Sequence, residues 1–299
     1  MELKRLLIDL GKLLGCGIVF AVGVILGGMG ATLLRLTPPP MPEGMDPAIA
    51  AAVLMLEGPL FALALALIAR GLAGSFLTRT LVLSLPAWIA YTVNTQLEAA
   101  IFSTFGGGFW FSIVDFLVPS VLCSAAVAFL FPPAEKGAGL IESFKFFFSH
   151  RTATAWLWRL GIAAVAFMPI YYFFGLLVVP FTAEYYQQNM YGLQMPRLDQ
   201  LLVVLFTRSA LFLVACLPVI VLWRKSKTSL FLRLGLALFV LVGLLYMLAA
   251  YWMPVSVRLP HTLEILADEF VYAGALTLLL SPDRSTARPA WSGASAPTG

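Results

Sequence analysis

The sequence predicts an all-α membrane protein of eight transmembrane helices, and three observations carry that reading. Of 299 residues, 61% are hydrophobic and 11% are Asp, Glu, Lys or Arg, against roughly 25% charged in an ordinary soluble domain. The mean hydropathy is +0.92, and the apolar residues gather into runs of about 20, the length that crosses a hydrocarbon layer about 30 Å thick. Those runs are continuous rather than alternating, which excludes barrel strands. A soluble globular enzyme and a disordered chain are excluded as well. The formal charge of +4 is dispersed along the chain, with no basic stripe interleaved with aromatics, so nucleic acid is not an expected partner. The lipid bilayer is.

The first span, 13–34, follows the charged start Lys4, Arg5 and Lys12. It is too long for a signal-peptide core and ends in no Ala-x-Ala site, so it reads as a retained helix. Gly23 and Gly27 in it form a GxxxG, with Gly28 and Gly30 following, a face that admits a close neighbour. Spans at 50–70, 80–102 and 109–131 complete a first group of four (1–132), with prolines 38–40 and glycines 106–108 in the breaks. A connection at 133–156 follows. Its stretch from Leu140 to Phe148 is either plain linker or an interfacial helix, with Lys145 and Arg151 near anionic headgroups. Spans at 157–180, 200–222, 232–253 and 260–281 make a second group (157–281), and a Ser-, Ala-, Pro- and Gly-rich tail, 282–299, is expected to be disordered.

Charge fixes the orientation. With the N-terminus inside and eight spans, only Arg35, Arg197, Arg208 and Arg258 of the 19 basic residues fall in the outer half, as the positive-inside rule requires. The chain is then N-in and C-in. The two groups of four resemble each other. Glu57-Gly-Pro-Leu-Phe61 matches Arg208-Ser-Ala-Leu-Phe212 at a separation of 151, and Ser75 with Arg79 matches Ser229 with Arg233 at 154. Such a four-plus-four repeat would be parallel, because each unit has an even number of helices. Chance matching among Leu- and Phe-rich helices is the competing explanation. The absence of organellar signals points to a bacterial plasma membrane.

Ionisable side chains inside spans are candidate functional groups, because each is expensive in hydrocarbon. Glu57 and Arg208 are expected about 10 Å below the outer surface, where they could pair across the axis between halves. Tyr91, Asn94, Thr95 and Glu98 stand at helical spacing on one face, and Asp115 lies about two turns in. His261, Glu264, Asp268 and Tyr272 form one stripe of the last helix, with Glu269 about 100° away. Glu57, Glu98, Asp115, Glu264, Asp268 and Glu269 exceed their outer basic partners, Arg208 and Arg258, by four. The surplus must be solvated in a vestibule, protonated or bound to a cation.

His261 and Glu264, with Glu98 or Asp268, are candidates for a carboxylate-preferring metal site rather than for zinc. The other histidine, His150, belongs to the inner side, so bis-histidine haem is excluded. Walker A, GxSxG and GxGxxG patterns are absent, leaving no haem, nucleotide or flavin signature. Cys16, Cys123 and Cys216 are isolated in apolar runs and read as packing residues. Three functions remain open. One is a transporter or permease with an acidic outward-facing cavity for a small cation or proton-coupled solute, its helices interrupted at Pro59, Pro86, Pro119, Pro169 and Pro218. The second is an intramembrane enzyme acting on a lipid-like substrate through His261 and Glu264. The third is a non-catalytic subunit binding a partner protein.

Overall fold

In the computed structural model, which describes residues 2–135, 137 and 139–281, the chain is helical, and the described residues contain no β-strand. The tail 282–299 with Arg284 and Arg288, and Lys136, lie outside the described residues. Helix α1 (Glu2–Leu33) is one unbroken rod. Helix α2 (Pro47–Ala69) starts at Asp46, whose carboxylate accepts the Ala48 N–H at 2.7 Å, and Pro47 occupies the first turn, where a missing N–H is harmless. Helix α3 (Phe76–Phe102) is capped by Ser75, which accepts the Thr78 N–H at 3.2 Å. Midway along it, Pro86–Val93 widens into a π-helix. Pro86 has no N–H to return to the preceding turn, and the ladder opens there.

Helix α4 consists of Phe109–Asp115 and Leu117–Leu130, bent by 41° at a break three residues ahead of Pro119. Helix α5 (Leu140–Ser149) is the aromatic stretch of the connection; Phe147 packs on Trp156 at 4.7 Å while Ile141 is exposed. Helix α6 (Ala153–Gln187) is interrupted at Ala166, three residues ahead of Pro169, and the Phe167 N–H donates to Ser209 Oγ at 3.2 Å. Helices α7 (Leu198–Leu222), α8 (Lys227–Ala249) and α9 (Val255–Leu280) complete the bundle, α8 containing a second π-helical segment, Phe239–Leu244. Pro59 and Pro218 were expected to interrupt helices, yet both lie inside continuous ones. Close packing with neighbours re-satisfies the freed carbonyls in such positions.

Among the described residues six helices, α1, α2, α3, α6, α7 and α8, are long and apolar enough to cross a membrane, and seven if the bent α4 is one span. This is the architecture of a multi-pass integral membrane protein. Outward residues such as Ile18, Phe173 and Leu176 are 60–67% exposed, an apolar surface suited to lipid tails. Helix α9, with 26 residues, is long enough, but Arg258, Glu264, Asp268 and Glu269 keep its composition from marking it as a span.

Two features lock the rods together. A Cβ on Gly27 would lie 1.9 Å from the Asp115 carbonyl oxygen, and one on Gly23 2.5 Å from Pro119 Cα. The GxxxG face is therefore spent within the chain, against α4. At the other end of these helices, arginines cap carbonyls. Arg79, 1% exposed, donates to Ala128 at 2.9 Å, Phe131 at 2.5 Å and Ala69 at 3.3 Å. Arg159 donates to Leu279 at 2.8 Å, and Arg233 to Leu67 at 3.3 Å. Basic residues at helix C-termini satisfy orphan carbonyls and complement the helix dipole.

Several landmarks recur 151 residues apart. Helices begin at Pro47 and Leu198, and again at Phe76 and Lys227. Ser75 and Ser226 are both N-caps, accepting from Thr78 and Ser229, and the π-helical segments end at Val93 and Leu244. Leu72 and Trp223 form an isolated antiparallel bridge, in which Ala73 N–H donates to Leu222 at 3.0 Å and Arg224 N–H to Gly71 at 2.9 Å.

Candidate functional site

The strongest concentration of polar groups at depth lies where α3, α6, α7 and α9 meet. The break at Ala166 sets Phe167 and Tyr171 against α7, where the Arg208 guanidinium lies 5.4 Å from each ring centroid. Arg208 is 2% exposed, and its Nη2 donates to Glu98 Oε2 at 2.8 Å. The Tyr171 hydroxyl donates to Glu98 Oε1 at 2.9 Å. One carboxylate from α3 thus holds an arginine of α7 and a tyrosine of α6 at once. Arg208 Nε and Nη1 have no hydrogen-bond partner.

A second chain of groups descends α9. The Tyr186 hydroxyl lies 3.2 Å from His261 Nε2, and His261 Nδ1 lies 2.7 Å from Glu264 Oε2. Gly175 of α6 lies over Glu264, where a Cβ would stand 3.2 Å from Oε1. Deeper along the helix, Asp268 is 2% exposed and Glu269 is fully buried. Asp268 Oδ1 and both Glu269 carboxylate oxygens have no hydrogen-bond partner, and Glu269 lies within electrostatic range of Arg208 and Glu98. An ionised carboxylate buried without a partner costs several kcal/mol. A bound proton or the positive charge of Arg208 must offset that cost.

A separate acidic group belongs to α2, α3 and α4. Glu57 and Asp115 are buried and act electrostatically on Tyr91, whose ring packs edge-on against Phe61 at 5.1 Å. The Tyr91 carbonyl, in the π-helical segment, accepts from the Tyr246 hydroxyl at 2.7 Å and also from the Thr95 hydroxyl. The Thr95 and Tyr246 hydroxyl oxygens lie 2.7 Å apart. Asn94 is fully buried with neither amide atom hydrogen-bonded.

The geometry departs from five expectations. Glu57 does not meet Arg208; Glu98 does, because equal depth on two helices does not bring side chains together. Arg258, the other expected partner for the acids, donates instead to the carbonyls of Met247 at 3.2 Å and Met253 at 3.0 Å. Tyr91 and Glu98, expected on one face, meet different partners: Tyr91 packs against Phe61 and Tyr246, and Glu98 meets Arg208 and Tyr171. The surplus acids are not wet in a vestibule: Glu57, Asp115, Glu264, Asp268 and Glu269 are all buried. His261, Glu264 and Glu98 do not converge into a metal site, and among the described residues no group of three His, Cys, Asp or Glu could hold an ion.

Tyr171, Tyr186 and Gly175 escaped the sequence reading. The tyrosines are 15 positions apart in an apolar helix, about four turns, so their shared face was a legible signal. Set beside known proteins, the chain matches no family model, no curated protein and no solved structure.

Proposed function

We propose that the protein is a proton- or cation-coupled transporter of eight spans, N-in and C-in, in a bacterial plasma membrane. The observation that carries the reading is the buried pair of carboxylates, Asp268 and Glu269, of which Asp268 Oδ1 and both Glu269 oxygens lack a hydrogen-bond partner, beside the Arg208–Glu98 ion pair. The chain Tyr186–His261–Glu264 leads toward them. At 1.5 Å per residue, His261 and Asp268 are about 10 Å apart along the axis, so protonation could pass from the bundle end to its interior. Arg208 and Glu98 belong to different four-helix groups, and a charge change at Asp268 or Glu269 would alter the force across that joint. The acidic cavity of this reading is an occluded one.

Two arguments support the eighth span and the duplication. Glu264, Asp268 and Glu269 are buried inside the bundle rather than facing lipid, which removes the usual objection to a charged spanning helix. The constant separation of 151 relates two helix starts, two N-caps and two π-helical ends. It also relates Thr95 to Tyr246, whose hydroxyls meet at 2.7 Å, and its neighbourhood contains the reciprocal Leu72–Trp223 bridge. Residues related by a two-fold axis meet each other only on that axis, as in a parallel repeat about the membrane normal.

The test is charge movement in proteoliposomes on a solid support after a pH drop. Wild type is expected to give a transient current, lost in Asp268→Asn with the thermal midpoint preserved. An unchanged current in both Asp268→Asn and Glu269→Gln sinks the reading. A second reading rests on the Tyr186–His261–Glu264 geometry, which is that of a general base and its orienting carboxylate. Turnover of a membrane lipid that His261→Ala abolishes while the current persists would favour an intramembrane enzyme.

A further inference from the structure

At the end of the bundle opposite His261, the first turns of α1, the C-terminal ends of α2, α4 and α7 and the start of α8 line a half-open cavity of about 660 Å³. That is within the range of small-ligand sites, about 300–1,000 Å³. Its wall carries six cations, Arg5, Lys12, Arg70, Arg224, Lys225 and Arg233, against two carboxylates, Asp9 and Glu135. Six positive charges facing two negative ones leave an excess of four.

The carboxylates are already engaged. Asp9 accepts from Arg70 at 2.7 Å, and Glu135 acts on Arg224. Most of the cations are held by groups that fix their position without cancelling their charge. Lys12 and Arg70 lie over the Phe131 ring at 5.4 and 5.2 Å. Arg224 donates to the carbonyls of Val221 and Trp223 at 3.1 and 3.2 Å, and Arg233 to that of Leu67. Burial, followed by the proximity of Arg233 and Arg70, holds the Lys225 ammonium below its usual range. Like charges fixed around one cavity repel, and an anion placed among them would turn that repulsion into attraction.

We propose that this cavity binds the phosphate group of an anionic ligand, either a lipid phosphodiester headgroup or a soluble phosphate compound. Three arginine forks rigidly placed by backbone carbonyls and Asp9 suit phosphate oxygens, while Lys225 supplies a mobile point charge. Ile8, Phe131, Pro132 and Pro133 complete the wall. Beside it, Leu6, Leu7 and Leu10 of α1 are 50–65% exposed, a track along which acyl chains could lie. Basic pockets between membrane helices recognise anionic headgroups through this combination of charge and apolar flank. The inference goes beyond the acid-cluster reading and stands whether or not that cluster moves protons.

The experiment uses the full chain in a neutral detergent at fixed ionic strength. Thermal midpoints are titrated with dioleoyl phosphatidylglycerol, dioleoyl phosphatidylcholine and inorganic pyrophosphate, since a ligand bound only by the folded state raises the midpoint saturably. Wild type is expected to respond to phosphatidylglycerol or pyrophosphate and not to phosphatidylcholine. The double variant Arg5→Gln/Lys225→Gln is expected to need about tenfold more ligand, the loss of two charge-assisted contacts being worth at least that. Neither residue holds another part of the fold, and the ligand-free midpoint of the double variant checks that it folds. A response to phosphatidylglycerol alone assigns the lipid source, and one to pyrophosphate assigns the soluble source. Absence of any response in wild type, or an equal response in the variant, overturns the proposal.

Discussion

Arg208 is permanently charged and 2% exposed, so its environment must supply a carboxylate. Glu98 does so with one oxygen while its other oxygen receives Tyr171. Glu98→Gln would leave Arg208 charged, buried and facing Glu269 at a distance. The expected loss is about 3 kcal/mol, toward the low end for removing one member of a buried pair, since the Glu98 side chain is 29% exposed. Adding Arg208→Met removes the orphaned charge and is expected to restore most of that stability. Thermal midpoints of wild type, the single variant and the double variant check both statements. An unchanged midpoint in Glu98→Gln would show that Glu269 alone balances the arginine.

At the scale of helices, contact distance decides which substitutions matter. Gly27 and Gly30 both lie in the last turns of α1, yet their surroundings differ. A Cβ at Gly27 would fall 1.9 Å from the Asp115 carbonyl oxygen, backbone that cannot step aside, whereas one at Gly30 would meet nothing within 4 Å. Gly27→Ala is therefore expected to cost about 1–3 kcal/mol, the range for overpacking a close contact, and Gly30→Ala to be close to neutral. Parallel thermal unfolding of the two proteins tests this, and equal midpoints would mean that α1 and α4 are not packed through Gly27. The π-helical segments act at the same scale. The one in α3 turns Tyr91 toward Glu57 and Asp115 while Glu98 reaches Arg208. Its partner in α8 ends just before Leu245 and Tyr246, the latter meeting Thr95.

For the whole molecule, the decisive quantity is the number of crossings. Single cysteines at Glu43 and Gln188 are expected to label from outside and one at Gly139 from inside, with Cys16, Cys123 and Cys216 silent because each is fully buried. With eight spans, a C-terminal tag lies on the Gly139 side. A tag found on the Glu43 side would mean that α9 does not cross, and the proposed path from His261 to Asp268 would lose its place in the membrane.

The composition and the length of the apolar runs determined that this chain is helical and multi-pass, because a backbone in hydrocarbon must satisfy its own hydrogen bonds and only a run of sufficient length can do so while crossing. The acids of α9 and the close-packing face of α1 were legible for a similar reason: helical spacing assigns residues to faces. Pro86 announced a disturbance in α3, but nothing in Phe239–Leu244 announced the one in α8. The tertiary structure alone decided that Arg208 pairs with Glu98 rather than Glu57, that Arg79 caps two helices and that six cations surround one cavity. Those outcomes depend on the rotation, bend and approach of whole helices. Neighbouring side chains from distant parts of the chain fix these jointly, and one helix's periodicity carries no record of them.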